Sequence, residues 1–105
     1  MFEVIMTTCP SQKVGRRIAE ALVSARAAAC VNMLGGVRSF YRWEGRMSED
    51  REVLLIAKTR SDRRSEAQRI ILKNHPYELP EVVVLQIAAG HDAYLRWLAQ
   101  ETEAP

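Results

Sequence analysis

Pro76 and Pro80 punctuate the segment His75-Pro76-Tyr77-Glu78-Leu79-Pro80-Glu81 and constrain this chain more than any other feature. Pro76 disfavours helical geometry at His75, so a helix arriving from Arg64 must end by about Asn74. Pro80 cannot donate to a strand ladder and so precedes the apolar run Val82-Val83-Val84-Leu85. The segment is therefore a helix-to-strand connector. It presents an imidazole, a phenol and two carboxylates on a restrained loop, the kind of position where binding residues concentrate. The competing reading of His75 and Tyr77 is packing and capping, because helix C-termini favour histidine and tyrosine often covers a core edge.

The flanking periodicities supply the rest of the fold. Glu3 to Thr8 reads as a strand, and Cys9-Pro10-Ser11 opens a helix in which Val14, Ile18, Ala21, Leu22 and Ala25 form one apolar stripe. Gly15 costs about 1 kcal/mol in that helix relative to alanine, so a close neighbour is the reason expected for it. Ala29 to Leu34, Gly35-Gly36 and Val37 to Trp43 read as one long strand bulged at the glycines, with Arg51 to Thr59 returning as a hairpin. Ser61-Asp62 starts a second helix with Ala67, Ile70 and Ile71 inward. A strand over 81–88 and a helix from Asp92 to about Glu101, apolar at Tyr94, Leu95, Trp97 and Leu98, complete the chain. The order β-α-β-β-α-β plus one helix predicts an α+β, ferredoxin-like, split β-α-β domain: an antiparallel sheet with helices on one face.

Length and charge narrow the function classes. At 105 residues the chain builds one domain, 1–105, with a single two-layer core. Fifteen basic residues are interspersed with thirteen acidic ones for a net charge of +2, which leaves no polyanion footprint and predicts no nucleic-acid partner. No basic leader and no membrane-spanning apolar window is present, so a soluble, cytoplasmic protein is expected. Cys9 and Cys30 fall in apolar surroundings and read as reduced thiols, Cys30 as a small buried hydrophobe.

The hairpin is longer than a four-stranded domain of this size requires. Phe40, Tyr41 and Trp43 place aromatic surface on both faces of its projecting ribbon, more than one subunit can bury. Tryptophan and tyrosine favour buried interfaces, and long ribbons have edges to protect. An oligomer is therefore predicted, with these three residues at its interface.

Several segments together carry a family resemblance: Ala29-Cys30-Val31-Asn32, Ser39-Phe40-Tyr41-Arg42-Trp43-Glu44-Gly45, Lys58-Thr59, the His75-to-Glu81 segment, and Tyr94-Leu95-Arg96-Trp97-Leu98. In order and spacing the chain resembles the CutA family of divalent-cation-tolerance proteins. The resemblance implies a tight homotrimer of ferredoxin-like subunits, similar in architecture to the PII signalling proteins, with divalent-metal binding, copper foremost, and a role in metal tolerance. The copper-ligand pattern of bacterial members puts a cysteine near the end of the first strand and a His-His pair before the proline. In this sequence Thr7 occupies the cysteine position with Cys9 two residues on, and Asn74-His75 replaces the pair. The implied ligands are thus His75 first, then Cys9, with Thr7 and Asn74 at the remaining positions.

Residue chemistry lends that site moderate support. Imidazole and thiolate suit copper and zinc, yet Cys9, Cys30, His75 and His91 show no C-x-x-C or H-x-x-x-H spacing. Acyl-phosphate hydrolysis is disfavoured: Cys9-Pro10-Ser11-Gln12-Lys13 lacks arginine and a glycine nest, and Pro10 removes an N–H donor. No enzyme is expected. The alternative is a PII-like signalling trimer that binds a small anionic ligand in intersubunit clefts lined by Asn32, Lys58, His75, Tyr77 and Glu81, with Lys58 as the cation.

Overall fold

The computed structural model describes residues 1–105. Val4, Ile5 and Met6 run through β1 (Phe2–Cys9), which is hydrogen-bonded on both sides and so lies inside the sheet. Ser11 ends the extended run, and its hydroxyl accepts the Val14 N–H at 3.2 Å to cap α1 (Gln12–Ser24). The helix buries Ile18 and Leu22 completely, as the stripe predicts. Gly15 lies where a Cβ would come within 3.2 Å of Met33 Sδ and 3.4 Å of Val53 Cγ1, so the helix approaches the sheet through the missing side chain.

Strand β2 (Cys30–Trp43) pairs with β3 (Arg46–Arg60) along its whole length. Between Leu34↔Leu54 and Val37↔Glu52, Gly35 and Gly36 face Val53 alone, a one-residue bulge at which Gly36 takes φ of 73°. The return strand begins earlier than Arg51. Glu44 and Gly45, at φ of 50° and 79°, make a tight two-residue turn, and pairing continues to Trp43↔Arg46.

The second helix also starts later than expected, because Ser61–Arg63 form a 3-10 turn before α2 (Arg64–Asn74). Its inward residues Ala67, Ile70 and Ile71 join Ile5, Cys9, Ile18, Leu22 and Leu55 in the core. Strand β4 is shorter than 81–88 and spans only Val83–Gln86, paired with Glu3 to Met6. Helix α3 (Asp92–Glu101) has the expected limits, but Leu98 alone on its apolar side is fully buried, while Tyr94 and Trp97 remain exposed.

The sheet order is β2-β3-β1-β4, with every neighbouring pair antiparallel. This is the split β-α-β arrangement read from the element order. Alternation sends Ile5, Val53, Leu55 and Ala57 to the helix side, and places Val4, Met6, Leu54 and Ile56 on the other. Leu34, Val83 and Leu85 extend that second face and are about half exposed. One sheet face is thus apolar and only partly covered.

Candidate functional site

The connector after α2 is tied down by its own side chains. Asn74 turns its amide nitrogen back to the Ile70 carbonyl at 2.9 Å, and its own carbonyl accepts from the Arg17 guanidinium at 2.9 Å. His75 is buried, with Nε2 at 2.7 Å from the Thr8 carbonyl. A carbonyl only accepts, so Nε2 carries the proton, and Nδ1 is left to accept the Tyr77 backbone N–H at 3.3 Å. The imidazole leans on the Tyr77 ring at 4.7 Å between centroids, and the Tyr77 phenol donates to Glu52 Oε2 at 2.7 Å. One chain of contacts therefore links the end of β1 to the connector and on to β3. Capping and packing, the competing reading of His75 and Tyr77, describes both side chains.

The four implied metal ligands sit at this junction but do not form a closed metal site within the chain. Both ring nitrogens of His75 are engaged. The Cys9 thiol is fully buried, and burial, with the Glu52 charge adding to it, pushes it up to about 11, so it stays protonated at neutral pH. Asn74 is committed to its helix, and the Thr7 hydroxyl is buried with no hydrogen-bond partner. Nowhere do three histidine, cysteine or carboxylate side chains gather closely enough to hold an ion. Cys30 is half-buried rather than buried.

The ligand-cleft residues divide between two places. Tyr77 and Glu81 line an open cleft of about 690 Å³ between the connector and the outer half of the hairpin. Tyr41 and Trp43 form its ribbon wall, and the Tyr41 phenol donates to Asp50. That bond raises the Tyr41 phenol above its ordinary value, and burial with the Glu52 bond does the same for Tyr77. Asn32 and Lys58 lie outside this cleft, on the partly covered sheet face, where the Lys58 ammonium stands 5.9 Å over the Tyr94 ring. Phe40 also lines the cleft and is the most exposed ribbon aromatic.

Sequence reasoning missed Glu52 and Asp50, the acidic floor of the cleft. Their positions two apart on β3 put them on one strand face, but only the folded connector shows that this face is covered. It also missed the ion pair of Glu3 with Arg64, in which the carboxylate is fully buried. Glu3 shares the inward phase of Ile5, and that alternation was the available signal.

The sheet order, the helix pair on one face and the bulged hairpin define a ferredoxin-like α+β domain with one sheet face and a ribbon only partly covered. Residues 3–101 match the family model described as CutA1 divalent ion tolerance protein, and the chain belongs to this family. A divalent-cation tolerance protein CutA of Thermus thermophilus is 46% identical over 102 residues, spanning 97% of this chain and 99% of its own length. The solved Thermus structure superimposes with a TM-score of 0.96 over 98% of this chain and all of its own. CutA of Xylella fastidiosa, 35% identical, gives 0.95 over 97% of this chain and 98% of its own. A protein of Archaeoglobus fulgidus described as a periplasmic divalent cation tolerance protein, 33% identical, gives 0.95 over 98% of this chain and 100% of its own.

Proposed function

We propose that this protein acts in tolerance of divalent cations as a non-enzymatic homotrimer, with copper the foremost metal. The observation that carries this reading is the family match along residues 3–101, on the same fold as the solved relatives. The half-covered apolar face and the exposed aromatics of the ribbon support assembly, because surface of this kind is stabilised by burial against another copy. Imidazole and thiol are the donors on this chain that suit copper. Since one subunit gathers no third donor, the metal is expected to bind weakly, with His75 the leading ligand. Two free cysteines fit a reducing compartment, the cytoplasm, and no helix is long and apolar enough to cross a membrane.

Light scattering and copper titration of metal-stripped protein test the reading together. Three subunits per particle and saturable copper binding that weakens in His75→Ala support it. A monomer with no saturable binding overturns it. The signalling alternative, with a small anionic ligand, draws less support, because the cleft holding Tyr77 and Glu81 is acidic and Lys58 lies elsewhere.

A further inference from the structure

The chain leaves α1 through a conformation that its sequence does not favour. The Ala27 N–H donates to the Leu22 carbonyl at 2.9 Å and the Arg26 N–H to the Val23 carbonyl at 3.1 Å, the two bonds of a Schellman C-cap. The residue that such a cap holds in the left-handed region is ordinarily glycine, because a Cβ there crowds the following carbonyl. Here it is Arg26, at φ of 57°. A strained arginine at a glycine position implies a role for its side chain.

That side chain reaches the end of the chain. The Arg26 guanidinium donates from Nη2 to the Gln100 carbonyl at 2.6 Å and from Nε to the Glu103 carbonyl at 3.1 Å. Both carbonyls lie at the C-terminal end of α3, where the helix dipole favours a cation and the last carbonyls lack partners within the helix. The donor is itself fixed: Arg63 donates from Nε to the Arg26 carbonyl at 3.2 Å and from Nη2 to the Ala25 carbonyl at 3.0 Å.

Little else ties α3 to the chain. The split β-α-β unit is complete at Gln86, and α3 is an addition to it. Apart from the two Arg26 bonds, no hydrogen bond and no ion pair joins residues 91–105 to the rest of the chain. Leu98 is fully buried, yet it lies outside the cluster that joins the other buried apolar side chains. An element with a small apolar seat of its own and few ties to the core opens as a unit, at lower free energy than global unfolding.

We propose that α3 is a strap that opens and closes on the core as one unit, and that Arg26 is its latch. Closed, it holds the Tyr94 ring 5.9 Å from the Lys58 ammonium, so opening also frees that cation. The strain at Arg26 is what it costs to place a guanidinium, rather than a hydrogen atom, at the exit of α1. This goes beyond the cation-tolerance reading and uses neither the metal donors nor the ribbon.

Hydrogen exchange of the full-length native protein, read by mass spectrometry on peptides from α3 and from α2, tests the latch. Arg26→Gly removes the guanidinium and relieves the left-handed strain, Arg26→Ala removes the guanidinium and keeps the strain, and Arg26→Lys keeps the charge without the fork. The α3 amides are expected to exchange about tenfold faster in the Gly and Ala variants and about threefold faster in the Lys variant, with α2 no faster in the Gly variant than in the parent. In urea the Gly variant should unfold at a higher midpoint than the Ala variant. Arg60→Gln, whose side chain meets only Asp62, leaves α3 exchange unchanged. If α3 slows in step with α2 in Arg26→Gly, the position serves α1 alone and the proposal is overturned. Parent-like α3 exchange in the Gly and Lys variants overturns it too, as when a neighbouring copy pins the helix. Should Arg26→Ala fail to fold, those two variants decide the matter.

Discussion

Glu3 shows how one residue couples the fold to pH. Its carboxylate is fully buried, and the Arg64 guanidinium holds its pKa below the ordinary 4.5 against the opposing effect of burial. A carboxyl depressed in the folded state contributes stability that is present above its unfolded value and lost as pH falls through the folded one. Glu3→Gln should therefore melt below the parent at pH 7, with the gap narrowing as pH drops below about 4.5, read by calorimetry across an acid series. Arg64 is half exposed, which screens the pair and keeps the difference modest. Cys9 makes a second residue-scale prediction. With its thiol buried and pushed up to about 11, a thiol reagent at neutral pH should titrate at most one cysteine per native chain, and two only after denaturation. Gly15 makes a third. The nearest atom to an added Cβ is the sulfur of a flexible methionine, so Gly15→Ala should change stability by less than about 1 kcal/mol, while Gly15→Val overpacks the contact with Val53 and costs about 2 kcal/mol in urea unfolding.

At the scale of elements, the connector acts through the strands it joins. His75 and Tyr77 bridge the end of β1 to β3, and β4 pairs with β1 only as far as Met6, short of the stretch where the connector crosses. Tyr77→Phe removes the one phenol that Glu52 receives and leaves a buried carboxylate less satisfied. A loss of about 1–3 kcal/mol in chemical denaturation is expected, and an unchanged midpoint would show that water replaces the phenol. The hairpin is the other element with work beyond its own pairing. Its bulge at Gly35 and Gly36 re-aims the ribbon, and its outer half holds Phe40, Tyr41 and Trp43 away from the core.

At the scale of the molecule, the unpaid surface lies on one sheet face and on the ribbon. The chain measures 45 × 25 × 21 Å, and the hairpin accounts for this elongation because β2 and β3 run to 14 and 15 residues against 8 for β1. If this surface is buried between copies, Trp43→Ala should lower the assembly's thermal stability and raise its dissociation at micromolar concentration, as interface tryptophans truncated to alanine commonly cost about 2 kcal/mol or more. Sedimentation velocity reads the shift. An identical distribution for parent and variant would place Trp43 outside any interface.

Local pattern alone determined the ends and faces of most elements. Ser11 marks the start of α1, Pro76 the end of α2, and Gly35-Gly36 the bulge, because each acts on the backbone within a few residues of itself. The inward sets of α1 and α2 follow from period alone. Where β3 begins was less legible, since Arg46 to Arg51 is polar and its strand character comes from pairing with β2 around the Glu44-Gly45 turn. The site was legible only as a list. His75, Tyr77 and Glu81 stood out by their restrained loop, but the engagement of both imidazole nitrogens, the burial of Glu52 and the separation of Lys58 from Tyr77 depend on which strands the connector crosses. Those are contacts between residues up to 67 positions apart. A periodic pattern assigns a side chain to a face, whereas the partner it meets there, and whether its charge is neutralised, is decided by tertiary packing.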